Sequence, residues 1–121
     1  MMRSIALGVA AGLCLVAVAA PASAQDQSKV QLGMTLFTSQ KCTMCHSIGA
    51  KGNPKGPLDT VVAKTPPEEL RQWITDPDAM RAKTKATRMP PMKQVKLTKE
   101  QVDALVAYLT SLKAANANNG R

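Results

Sequence analysis

Aromatic side chains are nearly missing from this sequence. Among 121 residues there is one phenylalanine, one tryptophan and one tyrosine, at Phe37, Trp73 and Tyr108. A short chain with so few bulky side chains buries only a modest core, and such domains usually need a disulfide, a metal or another staple. Histidine occurs once, at His46, which excludes any site needing two imidazoles from a single chain. Acidic residues are scarce too, with 8 Asp and Glu against 16 Lys and Arg. Cysteine occurs three times, at positions 14, 42 and 45. A structural zinc site takes about four ligands, and beyond Cys42, Cys45 and His46 only Cys14 remains. No internal repeat is visible.

The first 24 residues read as an address. Arg3 gives a positive start, Ile5 to Ala20 an apolar run, and Ala22-Ser23-Ala24 a small-x-small cleavage site, so the expected mature chain begins at Gln25. The run is short for a transmembrane anchor and ends at Pro21. Cys14 follows Leu13, where a lipoprotein would carry a small residue, and is expected to leave with the leader. The remaining 97 of the 121 residues make one domain, and they keep 15 of the 16 basic side chains because only Arg3 is lost. Export points to a periplasmic protein. It also removes the chain from nucleic acid, and no basic stretch is interleaved with stacking aromatics. The excess of positive charge suits an acidic redox protein or an anionic membrane face, or simply a solvated basic surface.

The chemistry is concentrated in Cys42-Thr43-Met44-Cys45-His46. Two thiols three residues apart, followed directly by an imidazole, match the pattern by which a haem is attached through both cysteines and its iron held by the histidine. On one helical turn residues three apart share a face, so both sulfurs can meet one edge of a porphyrin. A thioredoxin-like pair would open a helix after a strand, and no such unit is readable. A plain disulfide stays possible in an oxidising compartment but leaves His46 unexplained. A large apolar ring would also supply the bulk that the side chains lack.

Upstream, Ser28-Lys29-Val30-Gln31 reads as a capping box that starts a helix running to about Gln40, with Val30, Met34 and Phe37 at helical spacing and Gly33 marking a close approach. Residues 47–58 read as a loop rich in glycine and proline. Within it, the Pro57 carbonyl could orient His46, or Gly56-Pro57-Leu58 could be an ordinary turn. Thr65-Pro66-Pro67-Glu68 predicts a capped helix to Thr75, and Asp76-Pro77 a shorter one through Met80. Arg81, Lys83, Lys85 and Arg88 read as a basic loop, a docking face if it borders the cofactor edge.

Met89-Pro90-Pro91-Met92 places a thioether on a stiff segment, since proline pushes the preceding residue into extended conformations. With one histidine in the chain, a methionine is the natural sixth ligand, Met89 ahead of Met92. A third capping box, Thr98-Lys99-Glu100-Gln101, opens the clearest helix, whose face of Val102, Leu105, Val106, Leu109 and Leu112 runs to about Lys113. That face matches the first helix at Gly33 and Phe37. Residues 114–121 read as a flexible C-terminal tail.

With Cys42, Cys45, His46, Gly56-Pro57-Leu58, Met89-Pro90-Pro91 and the closing Ala104-Leu105-Val106-Ala107-Tyr108-Leu109 in this order, the sequence resembles a class I c-type cytochrome over residues 25–113. The resemblance implies an all-α fold wrapped around one haem c, with first and last helices crossing at Gly33, Phe37, Leu105 and Tyr108. It implies thioethers at Cys42 and Cys45, His46 as proximal ligand oriented by Pro57, and Met89 as distal ligand, with Met92 near enough to compete. The function expected is that of a monomeric periplasmic electron carrier, not an enzyme, that passes one electron between redox partners. The alternatives are a subunit or domain of a larger oxidoreductase, and a haem peroxidase or gas-binding protein, for which a second histidine is lacking.

Overall fold

The computed structural model describes residues 22–119, so most of the expected leader, residues 1–21, lies outside the described residues. Among the described residues five helices carry the fold: α1 (Ala22–Ser39), α2 (Asp59–Lys64), α3 (Pro67–Thr75), α4 (Pro77–Thr84) and α5 (Lys99–Asn119). A 3-10 turn at Cys42–Met44 and two antiparallel strands, β1 (Ser47–Ile48) and β2 (Lys51–Gly52), lie between α1 and α2. Among the described residues the fold is the all-α one expected, with only this small sheet added. No helix among the described residues is long and apolar enough to cross a membrane.

The crossing of α1 and α5 is the core. Leu36 and Phe37 of α1 pack with Val102, Ala104, Leu105, Val106 and Leu109 of α5, and Val62, Leu70 and Ile74 close the cluster from α2 and α3. The helices touch at Gly33: a Cβ there would strike the Ala104 carbonyl oxygen and stand 2.6 Å from Tyr108 Cβ. Close approach therefore outweighs the roughly 1 kcal/mol that glycine costs in a helix interior. Beside it, the Phe37 and Tyr108 rings meet edge to face with centroids 6.0 Å apart.

The start of α5 is as its sequence dictates. Thr98 N–H donates to Gln101 Oε1 at 2.9 Å and Gln101 N–H donates to Thr98 Oγ1 at 3.2 Å, a complete capping box. Asp76 likewise caps α4 by accepting from Ala79 N–H at 3.1 Å, and α4 runs one turn beyond Met80.

The other expected boundaries shift. Ser28 starts no helix, because the Ala- and Gln-containing stretch before it propagates the helix upstream; its hydroxyl donates to the Ala24 carbonyl at 3.0 Å instead. The expected cleavage point after Ala24 thus falls within α1. Thr65 caps nothing on α3, since Pro66 holds that position; its hydroxyl donates back to the Val61 carbonyl at 2.7 Å as α2 ends. Helix α2 itself lies where no helix was expected. Arg81 and Lys83 belong to the last turn of α4, so the basic loop begins only at Lys85, in left-handed conformation with φ 55°.

The tail expected at 114–121 is helical as far as Asn119. Two polar ties fix it: Lys113 Nζ donates to the Thr65 carbonyl at 2.8 Å and Asn116 Nδ2 to the Asp59 carbonyl at 2.9 Å.

Candidate functional site: the Cys42–His46 turn and the Met89 segment

Helix α1 ends where Gln40 N–H donates to the Leu36 carbonyl, and Lys41, at φ 59°, reverses the chain. The 3-10 turn follows. Cys45 and His46 N–H groups both donate to the Cys42 carbonyl, at 3.2 and 2.9 Å, so both thiols and the imidazole are carried on one compact turn. Both cysteines are free, Cys42 half-buried and Cys45 exposed. Burial, partly opposed by hydrogen bonding to its own backbone, raises the Cys42 thiol above its ordinary pKa.

His46 is half-buried. Burial chiefly, and then the nearby Arg88 charge, hold its pKa below 6.5, against an opposing pull from the Gly56 carbonyl. The imidazole is therefore neutral at pH 7, the form that binds a metal ion. Its Nδ1 is buried without a hydrogen-bond partner. The acceptor expected at Pro57 is thus not engaged, and the backbone oxygen that acts on the ring is that of Gly56. The reason is local pairing: Ser47 N–H donates to the Gly56 carbonyl and Leu58 N–H to the Ser47 carbonyl, both at 2.9 Å, which brings the loop beside the turn through Gly56.

Asn53, which no sequence motif marks, braces the same turn. Its N–H donates to the carbonyls of Thr43 and His46 at 3.0 and 3.1 Å, and its Nδ2 to the Met44 carbonyl at 3.0 Å. Asp59, at the start of α2, accepts from Gly49 N–H with both carboxylate oxygens, at 3.2 and 3.0 Å, which anchors the tip of the β-hairpin.

The methionine segment, residues 85–97, has no regular structure. Met89 is 69 % exposed, and its Sδ accepts from Arg81 Nη2 at 3.4 Å. Met92 is half-buried. Arg88 links this segment to the turn, its Nη2 donating to the Cys45 carbonyl at 2.5 Å. On the far side, Gln94 Nε2 donates to the Thr75 carbonyl at 2.7 Å. Arg88 was legible only as one more basic residue, because its partner is a backbone oxygen 43 positions away.

A model of the cytochrome c family matches residues 30–113, most of the described chain. The chain belongs to the cytochrome c family. Membership implies a covalently bound haem c and haem-based electron transfer. The donor set fits that group: two free thiols and a neutral imidazole share one turn, and a solvent-accessible thioether stands on a segment bonded to it. No three His, Cys, Asp or Glu side chains among the described residues converge as a metal site of their own.

This cytochrome c is also 32 % identical over 90 residues to cytochrome c oxidase subunit 2 of Alkalihalophilus pseudofirmus. The match takes in 67 % of this chain and 25 % of that protein, so the chain spans about a quarter of that relative's length. No solved structure matches the chain closely enough to extend the comparison.

Proposed function

We propose that this cytochrome c is a periplasmic carrier that passes one electron at a time through a single haem c. Cys42 and Cys45 form the thioethers, His46 is the proximal ligand and Met89 the distal one. The observation that carries the reading is the Cys42–His46 turn, which brings both cysteines and the histidine together on one hydrogen-bonded turn. The bound group supplies reversible one-electron chemistry at its iron. The chain's own residues hold it and set its ligand field. His/Met ligation raises the potential compared with harder ligand pairs. The Gly56–Pro57 loop is tied to the turn at Ser47 and borders His46, whose buried Nδ1 is left free to take an acceptor when the ring binds iron.

No side chain needs to move a proton, and the role is that of a carrier and not an enzyme. The exported chain keeps 15 Lys and Arg against 8 Asp and Glu, an excess that favours partners with acidic docking surfaces, and an anionic membrane face would attract the same side chains. The leader read at residues 1–24 supports export and localisation to the periplasm.

A second reading is favoured by the similarity to part of an oxidase subunit: this chain could serve as the electron-entry component of a larger oxidoreductase. Gel filtration of native extract separates the two, because a free carrier elutes below the 12.9 kDa of the full chain once the leader is gone, and a bound component elutes with its complex.

Expression with export in a host that matures c-type cytochromes tests the main reading. The secreted protein should gain the mass of one haem, retain it in acid-acetone, and lose it when Cys42 and Cys45 are both replaced by Ala. Met89→Ala should abolish the ferric thioether-to-iron absorption band; loss of that band only in Met92→Ala assigns the distal position to Met92 instead. A colourless chain of bare mass overturns the reading.

A further inference from the structure

Two guanidinium groups hold the methionine segment, and neither role follows from the attachment motif. From α4, Arg81 Nε donates to the Ala86 carbonyl at 3.1 Å while its Nη2 reaches Met89 Sδ. From within the segment, Arg88 crosses to the Cys45 carbonyl. Its guanidinium packs against Gly56: a Cβ there would come within 2.5 and 2.6 Å of Nη1 and Nη2 and would also strike the Cys45 carbonyl oxygen. Gly56 is buried, so the space that admits Arg88 is built by an absent side chain rather than left at an open surface.

We propose that Arg88 is a positioning residue that latches the Met89 segment onto the Cys42–His46 turn and places a fixed positive charge beside the iron site. The inference rests on the haem-binding reading above. A hydrogen bond from a charged donor is about twice as strong as a neutral one, and the Cys45 carbonyl would otherwise face water. A positive charge beside an iron site disfavours the oxidised state, which carries one more positive charge. Arg88 itself is exposed, so this effect is screened by salt.

The test compares haem-loaded wild type, Arg88→Gln and Arg88→Lys, with two readouts: the midpoint potential and the affinity of free imidazole for the oxidised protein. Imidazole enters only when the methionine leaves, so it measures the latch. Arg88→Gln should bind imidazole about tenfold more tightly, the loss expected from one charge-assisted hydrogen bond. Its potential should shift downward, and that shift should shrink as salt is raised. Arg88→Lys should restore most of the potential but little of the latch, because an ammonium keeps the charge without the planar fork.

Wild-type potential and imidazole affinity in Arg88→Gln overturn the proposal. If Arg88→Gln yields no haem-loaded protein, Arg88→Lys decides, and wild-type imidazole affinity there overturns it. Wild type without covalent haem overturns this proposal together with the function it rests on; loaded wild type with unaltered variants overturns this one alone.

Discussion

At the crossing of α1 and α5 the chain closes on itself: Leu36, Phe37, Leu105 and Leu109 are buried and Gly33 lets the backbones meet. Around the Cys42–His46 turn the opposite holds. There Met44 and Met89 are 68 and 69 % exposed, and order comes from backbone carbonyls accepting from Asn53, Ser47 and Arg88. Interlocking side chains hold the first region together. Hydrogen bonds give the second its shape, with Cys42 and Met92 half-buried and Met44, Cys45 and Met89 exposed. The near absence of aromatic residues belongs to the same division, because two of the three, Phe37 and Tyr108, are spent on the crossing.

The two regions also use glycine differently, and paired substitutions sharpen the contrast. Gly33→Ala should cause the largest loss of stability, about 1–3 kcal/mol or more from overpacking against Ala104 and Tyr108, read as a fall in unfolding midpoint with the potential unaltered. Gly56→Ala should displace Arg88 and shift the potential as Arg88→Gln does. If Gly33→Ala moved the potential as far as Gly56→Ala, the separation of the two regions would fail.

A smaller effect is expected at the start of α5. Thr98→Ala removes the oxygen that accepts from Gln101 N–H and should cost about 1 kcal/mol, measured by denaturant unfolding, with the spectrum of the loaded protein unchanged.

The smallest concerns Asp103. Hydrogen bonds from Lys99 and Arg71, the second at 2.6 Å, hold its carboxyl below the ordinary 3.8. A carboxylate whose folded pKa is depressed stabilises the fold above its unfolded value, and that contribution fades as pH falls through the folded value. Asp103→Asn should therefore cost a little stability at pH 7 and nothing once the pH is well below 3.8. Arg71 and Asp103 are half-buried and Lys99 is exposed, so water and salt keep the worth of the pairing small.

The parts legible in the sequence were those whose cause is local. The Cys42–His46 spacing announces its chemistry within five residues, and the Thr98–Gln101 box and the apolar stripe of α5 fix that helix from its own side chains. Gly33 was readable because glycine is costly inside a helix unless something approaches it. What escaped depends on partners far along the chain. Helix α2 is short and follows a Gly- and Pro-rich stretch; its order comes from Val62 in the core and from Lys113 and Asn116. The upstream start of α1 was masked by a serine that satisfies its own helix instead of capping it. Arg88 and Asn53 act on carbonyl oxygens, which every residue has, so no motif could single them out.

The ties from Lys113 and Asn116 bear on how this protein should be handled at the bench. A truncation designed on the family boundary at residue 113 would delete Asn116 and leave the Asp59 carbonyl without that donor, so loosening would begin at α2, whose Asp59 carboxylate holds the hairpin tip at Gly49. An affinity tag is better appended after Arg121 than grafted in place of the last helical turns.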